Sequence, residues 1–360
     1  MKLEGEKMTG KMKALRLYAP GDIRCVEVDI PKIERDTQVK IKVKSCGVCG
    51  SDIPRVLVKG TYNFPTTIGH EFAGEIIEVG LGVSNVKLGD RVTVLPMIPC
   101  GSCDYCNVGK SHMCDTYDYY GSRRDGAMAE YIVVESKNCL LLPRNVDYEM
   151  GCMTDPVSVG LHAVRQIGTV EAGSTAVVYG LGAIGYITMQ WLKTLGCTEV
   201  YVVDVEDEKL ALAESLGATK GFNGLKCNPA EEIMKETGDG VDIAVELAGN
   251  KITFVQAVES VKKSGTVIYC GITYDDVMFP NSVIAHILRG EITVRGSWNS
   301  TTTPLPINEW ESALKFMSNG RIKVNPLVTH RYSLEEGPKA FEMMKNRSEL
   351  FTKIIFKPEY

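Results

Sequence analysis

No stretch of the chain runs to the ~18 uninterrupted apolar residues that a membrane-spanning helix needs. That removes helical membrane spans from consideration. The opening segment, MKLEGEKMTGKMKALRLY, scatters charges and lacks the apolar core of about seven residues that marks a secretory signal, so residues 1–10 are expected to form a mobile tail. Low-complexity tracts and repeats of solenoid period are missing as well. With 40 basic and 45 acidic residues, the net charge is only -5 and the pI is near 5.7. Neither nucleic acid nor an anionic membrane has an electrostatic reason to bind. What remains is a 360-residue chain, 44% hydrophobic and 24% charged, longer than one core usually organises. Two domains in a cytoplasmic protein are expected.

The pattern of the chain changes near residue 155. Before it, KALRLY, QVKIKVKSC, FAGEIIEVG, DRVTVLP and AEYIVVES are short alternating or β-branched runs separated by Gly, Pro, Asn and Asp. They predict a β-rich barrel or sandwich. From 175 onward, TAVVYG, EVYVVD, TKGFN, VDIAVELAG, TVIYCG and EITVRGSW read as six strands, with AIGYITMQWLKTLG, EDEKLALAESLG, PAEEIMKETG, ITFVQAVESVKKSG and NSVIAHILRG as helices between them. That alternation predicts an α/β domain with a doubly wound, parallel, six-stranded sheet over 156–298. The remaining 299–360, with two helical stretches and the strand TKIIFKP, is too short to stand alone. It is expected to rejoin the 1–155 domain.

VVYGLGAIG places Gly180, Gly182 and Gly185 in a G-x-G-x-x-G pattern where a predicted strand meets a predicted helix, with Ala183 and Ile184 between the last two glycines. A bare glycine-rich turn would explain the motif alone. In this setting it predicts a dinucleotide site, with the pyrophosphate at the helix N-terminus. Asp204 closes the next strand, nineteen residues after Gly185. A carboxylate there accepts bonds from ribose hydroxyls and repels a 2′-phosphate, favouring NAD over NADP.

Four of the twelve cysteines, Cys100, Cys103, Cys106 and Cys114, fall within CGSCDYCNVGKSHMC. A reducing compartment disfavours disulfides, and an iron–sulfur run would carry Pro after its last cysteine. Four thiolates at these spacings suit one tetrahedral zinc with no open position, a structural staple for a lobe (about 96–116) with few apolar residues. His112, among these thiols, reads as a surface residue. Dispersed residues suggest a second zinc: Cys49 of SCGVCGSD, His70 and Glu71 of TIGHEFAG, and Asp155 of MTDPVSVGLHA. Spacing alone leaves a thioredoxin-type C-x-x-C pair, Cys46 and Cys49, as the alternative. Cys46 is read as a buried structural thiol, and His162, His286 and His330 as satisfied core residues.

GVCGSD, GHEFAGEIIEVG, GDRV, the four-cysteine lobe, DPVSVGLHA and GLGAIG, in this order, resemble the zinc-dependent medium-chain dehydrogenase/reductase family over nearly the whole chain. The resemblance implies a GroES-like catalytic domain (1–155 and 299–360), a Rossmann domain (156–298), NAD and two zinc ions per chain. It assigns Cys49, His70 and Glu71 to the catalytic zinc, the lobe cysteines to the structural one, and Ser51 to relaying the alcohol proton. Relatives usually carry Glu where Asp155 stands, so direct ligation by Asp155 stays open.

CGSDIPRV, YYGSRRDGAMAEYIVV and ITVRGSWNS resemble the polyol branch, which implies oxidation of a phosphorylated hexitol, a small-molecule substrate. Arg55, Arg123 and Arg124 are its candidate phosphate ligands, and Trp298 and Asn299 candidate pocket residues. An unphosphorylated polyol dehydrogenase, a threonine dehydrogenase and an NAD-binding zinc protein without turnover stay open as alternatives. The strand EITVRGSW resembles the family's dimer-forming edge, implying a homo-oligomer, dimer or tetramer.

Overall fold

A computed structural model describes residues 10–302 and 308–359. The expected tail lies almost wholly outside these residues. The chain divides into two compact units, one of Met1–Asp155, Thr303–Ser318 and Val324–Tyr360, the other of Pro156–Thr302 and Asn319–Lys323.

The first unit is built on a seven-stranded sheet whose centre is Gln38–Gly47. Val39, Ile41 and Val43 alternate into the core and are fully buried. Lys40, on the other face, is buried too and is neutralised by Glu78 at 2.5 Å. Gln38–Gly47 pairs antiparallel with Glu71–Val79 and with Tyr131–Glu135. The register brings Gly47 opposite Glu71. A Cβ at Gly47 would stand 2.5 Å from Glu71 Oε2, so glycine is what lets that carboxylate lie across the strand. Lys353–Phe356 returns from the C-terminal part of the chain and pairs beside Cys46 and Gly47. Lys11–Ala19, Asp22–Asp29 and Thr66–Thr67 form a separate three-stranded sheet, of which Asp22–Asp29 and Thr66–Thr67 had no counterpart in the sequence pattern.

The second unit holds a six-stranded parallel sheet. Its spatial order is Lys220–Asn223, Glu199–Asp204, Thr175–Tyr179, Val241–Glu246, Val261–Tyr269, Thr293–Gly296. The order reverses between Thr175–Tyr179 and Val241–Glu246, as in doubly wound nucleotide-binding sheets. One boundary departs from the sequence reading. The helix expected across ITFVQAVESVKKSG ends at Glu259, and Val261–Tyr269 is a strand throughout. Ser260 closes the helix by bonding back to Gln256, and its carbonyl accepts from Val241 N at 2.8 Å, which starts the ladder early. All four residues of the edge strand Thr293–Gly296 are exposed. Among the described residues, no helix is long and apolar enough to cross a membrane.

Candidate active site and metal centres

The four lobe cysteines lie together, their sulfurs all within 4.8 Å of one another. Met97–Ile98 pairs with Asp118–Tyr119 at the base of the lobe, and the short helix Asp104–Asn107 buries nothing. Cohesion must therefore come from the sulfurs. All twelve cysteines are free thiols. Cys100 Sγ accepts from Ser102 N at 3.4 Å and Cys103 N at 3.3 Å, and Cys114 Sγ accepts from Cys100 N at 3.2 Å. Bonds from the Ser102 N–H and hydroxyl hold the Cys100 thiol down at about 5, whereas burial and the neighbouring sulfurs push Cys106 up to about 12. A set that favours some thiolates and resists the last needs a cation at its centre to ionise completely. This donor set fits zinc. His112 is not part of the cluster.

Cys49, His70 and Glu71 form the second cluster, their ligand atoms likewise within 4.8 Å. Cys49 is set by the turn after Gln38–Gly47, and Glu71 opens the neighbouring strand. Asp52, fully buried, accepts from Cys49 N at 3.1 Å and from Arg55 Nη1 at 2.5 Å. Its Oδ1 also faces His70 Nδ1 at 3.5 Å, a long contact that acts more by charge than as a full hydrogen bond. Burial alone would raise the Asp52 carboxyl; His70 and Arg55 overcome this and hold it near 2. His70 is buried, which opposes its charge, but Asp52 and Cys49 raise its pKa well above the ordinary value. Glu71 Oε2 accepts from the buried Lys353 Nζ at 2.5 Å, and the same ammonium donates to Val48 O at 2.9 Å. A thiol, an imidazole and a carboxylate packed this closely are the donor set that fits a divalent cation.

Asp155 does not join the three ligand atoms of this cluster. Burial, reinforced by Glu71 and Asp52, raises its carboxyl to about 7 against the opposing pull of His70 and Lys353, so it stands near the cluster as a readily protonated acid. Ser51 caps no backbone N–H with its hydroxyl. Cys46 is fully buried, and burial holds its thiol well above the usual range. His162 is buried and contacts Gln166 at 3.0 Å, whereas His286 and His330 are only half-buried rather than in the core, and contact Val261 O at 2.8 Å and Glu349 at 3.1 Å.

Three residues beside this cluster had no site role in the sequence reading. Asp52 was hidden inside the GSD motif, where its role as a partner to His70 had no signal of its own. Lys353 lies 282 residues from Glu71 and meets it only through sheet pairing. Tyr119 packs edge-on against His70, ring centroids 5.4 Å apart.

In the second unit, Gly180 turns with φ of +92°, and a Cβ there would meet Ala248 N at 2.7 Å. A Cβ on Gly185 would meet Gly180 O at 1.9 Å, whereas the space before Gly182 is open. Ala183 and Ile184 begin the helix Ala183–Leu195, with Gly182 as its N-cap. Open space at a helix N-terminus fits a pyrophosphate. Asp204 Oδ2 accepts from Leu181 N at 2.7 Å, and Oδ1 accepts from Val205 N at 2.8 Å and Glu206 N at 3.2 Å, which fixes the carboxylate and leaves Oδ2 a further lone pair for a ribose hydroxyl. Trp298 is exposed, and Asn299 adopts φ of +59°.

Residues 35–144 match the alcohol dehydrogenase GroES-like domain, and residues 183–319 match the zinc-binding dehydrogenase family. The chain belongs to the zinc-binding alcohol dehydrogenases of the medium-chain type, oxidoreductases that join a GroES-like to a Rossmann-type domain. It is 36% identical over 326 residues to galactitol 1-phosphate 5-dehydrogenase of Escherichia coli K12, covering 90% of this chain and 94% of the relative. The crystal structure of galactitol-1-phosphate dehydrogenase from Escherichia coli superimposes with a TM-score of 0.90 at 35% identity, covering 96% of this chain and 100% of that one. A zinc-binding dehydrogenase of Sinorhizobium meliloti 1021, solved bound to NADP, aligns at 30% identity with a TM-score of 0.88, covering 97% and 100%.

Proposed function

We propose that this chain is a zinc- and NAD-dependent dehydrogenase that oxidises a secondary alcohol of a phosphorylated hexitol, galactitol 1-phosphate to tagatose 6-phosphate. The observation that carries the reading is the convergence of Cys49, His70 and Glu71 within 4.8 Å. Likeness to a galactitol 1-phosphate 5-dehydrogenase over 90% of the chain supports the substrate class. Cys49, His70 and Glu71 would hold the catalytic zinc and Cys100, Cys103, Cys106 and Cys114 the structural one, with Gly180, Gly182, Gly185 and Asp204 holding NAD. When bound, zinc supplies Lewis acidity toward the substrate hydroxyl, and the nicotinamide supplies the hydride acceptor.

The chain's own residues orient and move protons. Asp52 faces Nδ1 of His70, so the other ring nitrogen would be the one left for the ion. Lys353 holds one oxygen of Glu71 and steadies the carboxylate. The Ser51 hydroxyl, two residues beyond Cys49, would relay the alcohol proton, accepting it while passing its own proton onward. Asp204 binds the adenosine ribose and disfavours a 2′-phosphate. The exposed edge strand Thr293–Gly296 supports a homo-oligomer that covers it.

The test is NADH formation with galactitol 1-phosphate, galactitol, sorbitol and threonine under matched conditions. The expected result is a kcat/KM for the phosphorylated hexitol at least about tenfold above the others. Equal or greater turnover of an unphosphorylated polyol or of threonine would contradict the assignment, and no turnover of any would favour a zinc protein without catalysis.

A further inference from the structure

The three arginines that could meet a substrate phosphate have different surroundings. Arg55 Nη1 donates to the fully buried Asp52 at 2.5 Å. Arg124 Nε donates to Asp118 at 2.6 Å, and its Nη2 meets the same carboxylate. Both cations are therefore already balanced by carboxylates nearby, which weakens their claim on a further anion.

Arg123 is held differently. Its guanidinium carbon lies 4.3 Å from the centroid of the Tyr62 ring and 4.4 Å from that of Tyr117. Nη2 donates to Tyr62 Oη at 3.4 Å, while Nε is buried without a hydrogen-bond partner. Among the described residues, no carboxylate forms an ion pair with it. Two aromatic rings hold the guanidinium without neutralising it, so its positive charge stays available to a phosphate. The backbone supports the clamp, because Asn63 Nδ2 donates to Arg123 O at 3.1 Å and ties the two loops together.

The clamp also connects to the metal-ligand cluster. Tyr117 packs edge-on against Tyr119 at 6.1 Å, and Tyr119 packs edge-on against His70 at 5.4 Å. An unbroken run of rings thus leads from His70 to Arg123. Its outer end is open to solvent, where Tyr62 is 66% exposed.

We infer that Arg123, clamped between Tyr62 and Tyr117, is the anchor for the substrate's phosphate, and that Tyr117 and Tyr119 form the wall along which the polyol chain runs toward Cys49, His70 and Glu71. This deepens the polyol-phosphate reading above and rests on it. Arg55, in the helical turn Arg55–Lys59, and Arg124 become positioning residues of their own segments.

The experiment compares kcat/KM for a phosphorylated hexitol with that for its unphosphorylated counterpart, in the zinc-loaded wild-type protein and in Arg123→Gln, Arg123→Lys, Tyr62→Leu and Arg124→Gln. Arg123→Gln is expected to lower the ratio by at least about tenfold, chiefly through KM, with the unphosphorylated polyol unaffected. Arg123→Lys should recover part of it and Tyr62→Leu should lose part, whereas Arg124→Gln should keep the wild-type ratio. Inorganic phosphate should compete with the phosphorylated substrate in the wild type and much less in Arg123→Gln. Melting temperatures identify a variant that has merely unfolded, and Tyr62→Leu then carries the test. A wild type that prefers phosphate, with a ratio that survives both Arg123→Gln and Tyr62→Leu, overturns the anchor and leaves the enzyme assignment intact. A wild type with no preference for phosphate overturns the substrate reading beneath it.

Discussion

The two thiol-bearing clusters of the first unit differ in how they are assembled. In the lobe, four cysteines within fifteen consecutive residues meet through local turns, and backbone N–H groups pointing at sulfur do most of the arranging. At the second cluster, Cys49, His70 and Glu71 come from a turn and a neighbouring strand, are largely buried, and have charged partners brought from elsewhere: Asp52 for His70, Lys353 for Glu71. The first arrangement suits a cation that holds a poorly packed loop in place. The second buries several charges around a small space, an arrangement that costs stability unless each charge is answered. A site that must leave room for substrate has to be held from behind by other residues, whereas a closed site can be held by its own ligands.

Substitutions can break that contrast. The largest effect is expected for Cys49→Ala, which should abolish turnover by at least about a thousandfold and remove one zinc per chain while barely moving the melting temperature, read by steady-state kinetics, metal analysis and calorimetry. Lys353→Met should next destabilise the zinc-free protein by about 3–5 kcal/mol, because Glu71 is left as an uncompensated buried charge. The same change should cost much less once zinc neutralises that carboxylate, so unfolding in denaturant with and without zinc measures the difference. Cys103→Ala should instead lower the melting temperature by about 5–10 °C and remove the other zinc, with residual activity in proportion to the folded fraction. Smallest, and in the other unit, Asp204→Ala should weaken NAD binding by about tenfold and bring the affinities for NAD and NADP closer together, as measured by fluorescence titration.

The same contrast explains what the sequence made visible. The lobe was readable because its ligands are contiguous, and the glycine turn because Gly180, Gly182, Gly185 and Asp204 sit at fixed offsets along one strand–helix–strand unit. Most strands of the seven-stranded and six-stranded sheets followed from β-branched and apolar runs, with the boundary at Ser260 lost because a helix and a strand abut there without a loop. Cys49, His70 and Glu71 were suggested by their residue types but assigned as one ligand set only by family resemblance, since nothing in their spacing says that Gly47 pairs with Glu71. Lys353 and Tyr119 were invisible, because sheet pairing and ring packing, not sequence proximity, bring them to the site. Arg55, Arg123 and Arg124 looked alike as sequence, and only their partners separate them.

The most direct measurement is anomalous diffraction at the zinc absorption edge from crystals of the zinc-loaded protein. Two peaks per chain are predicted, one enclosed by Cys100, Cys103, Cys106 and Cys114 and the other bound by Cys49, His70 and Glu71. A single peak in the lobe, with Glu71 still joined to Lys353 and no ion beside Cys49 and His70, would contradict the catalytic centre described above.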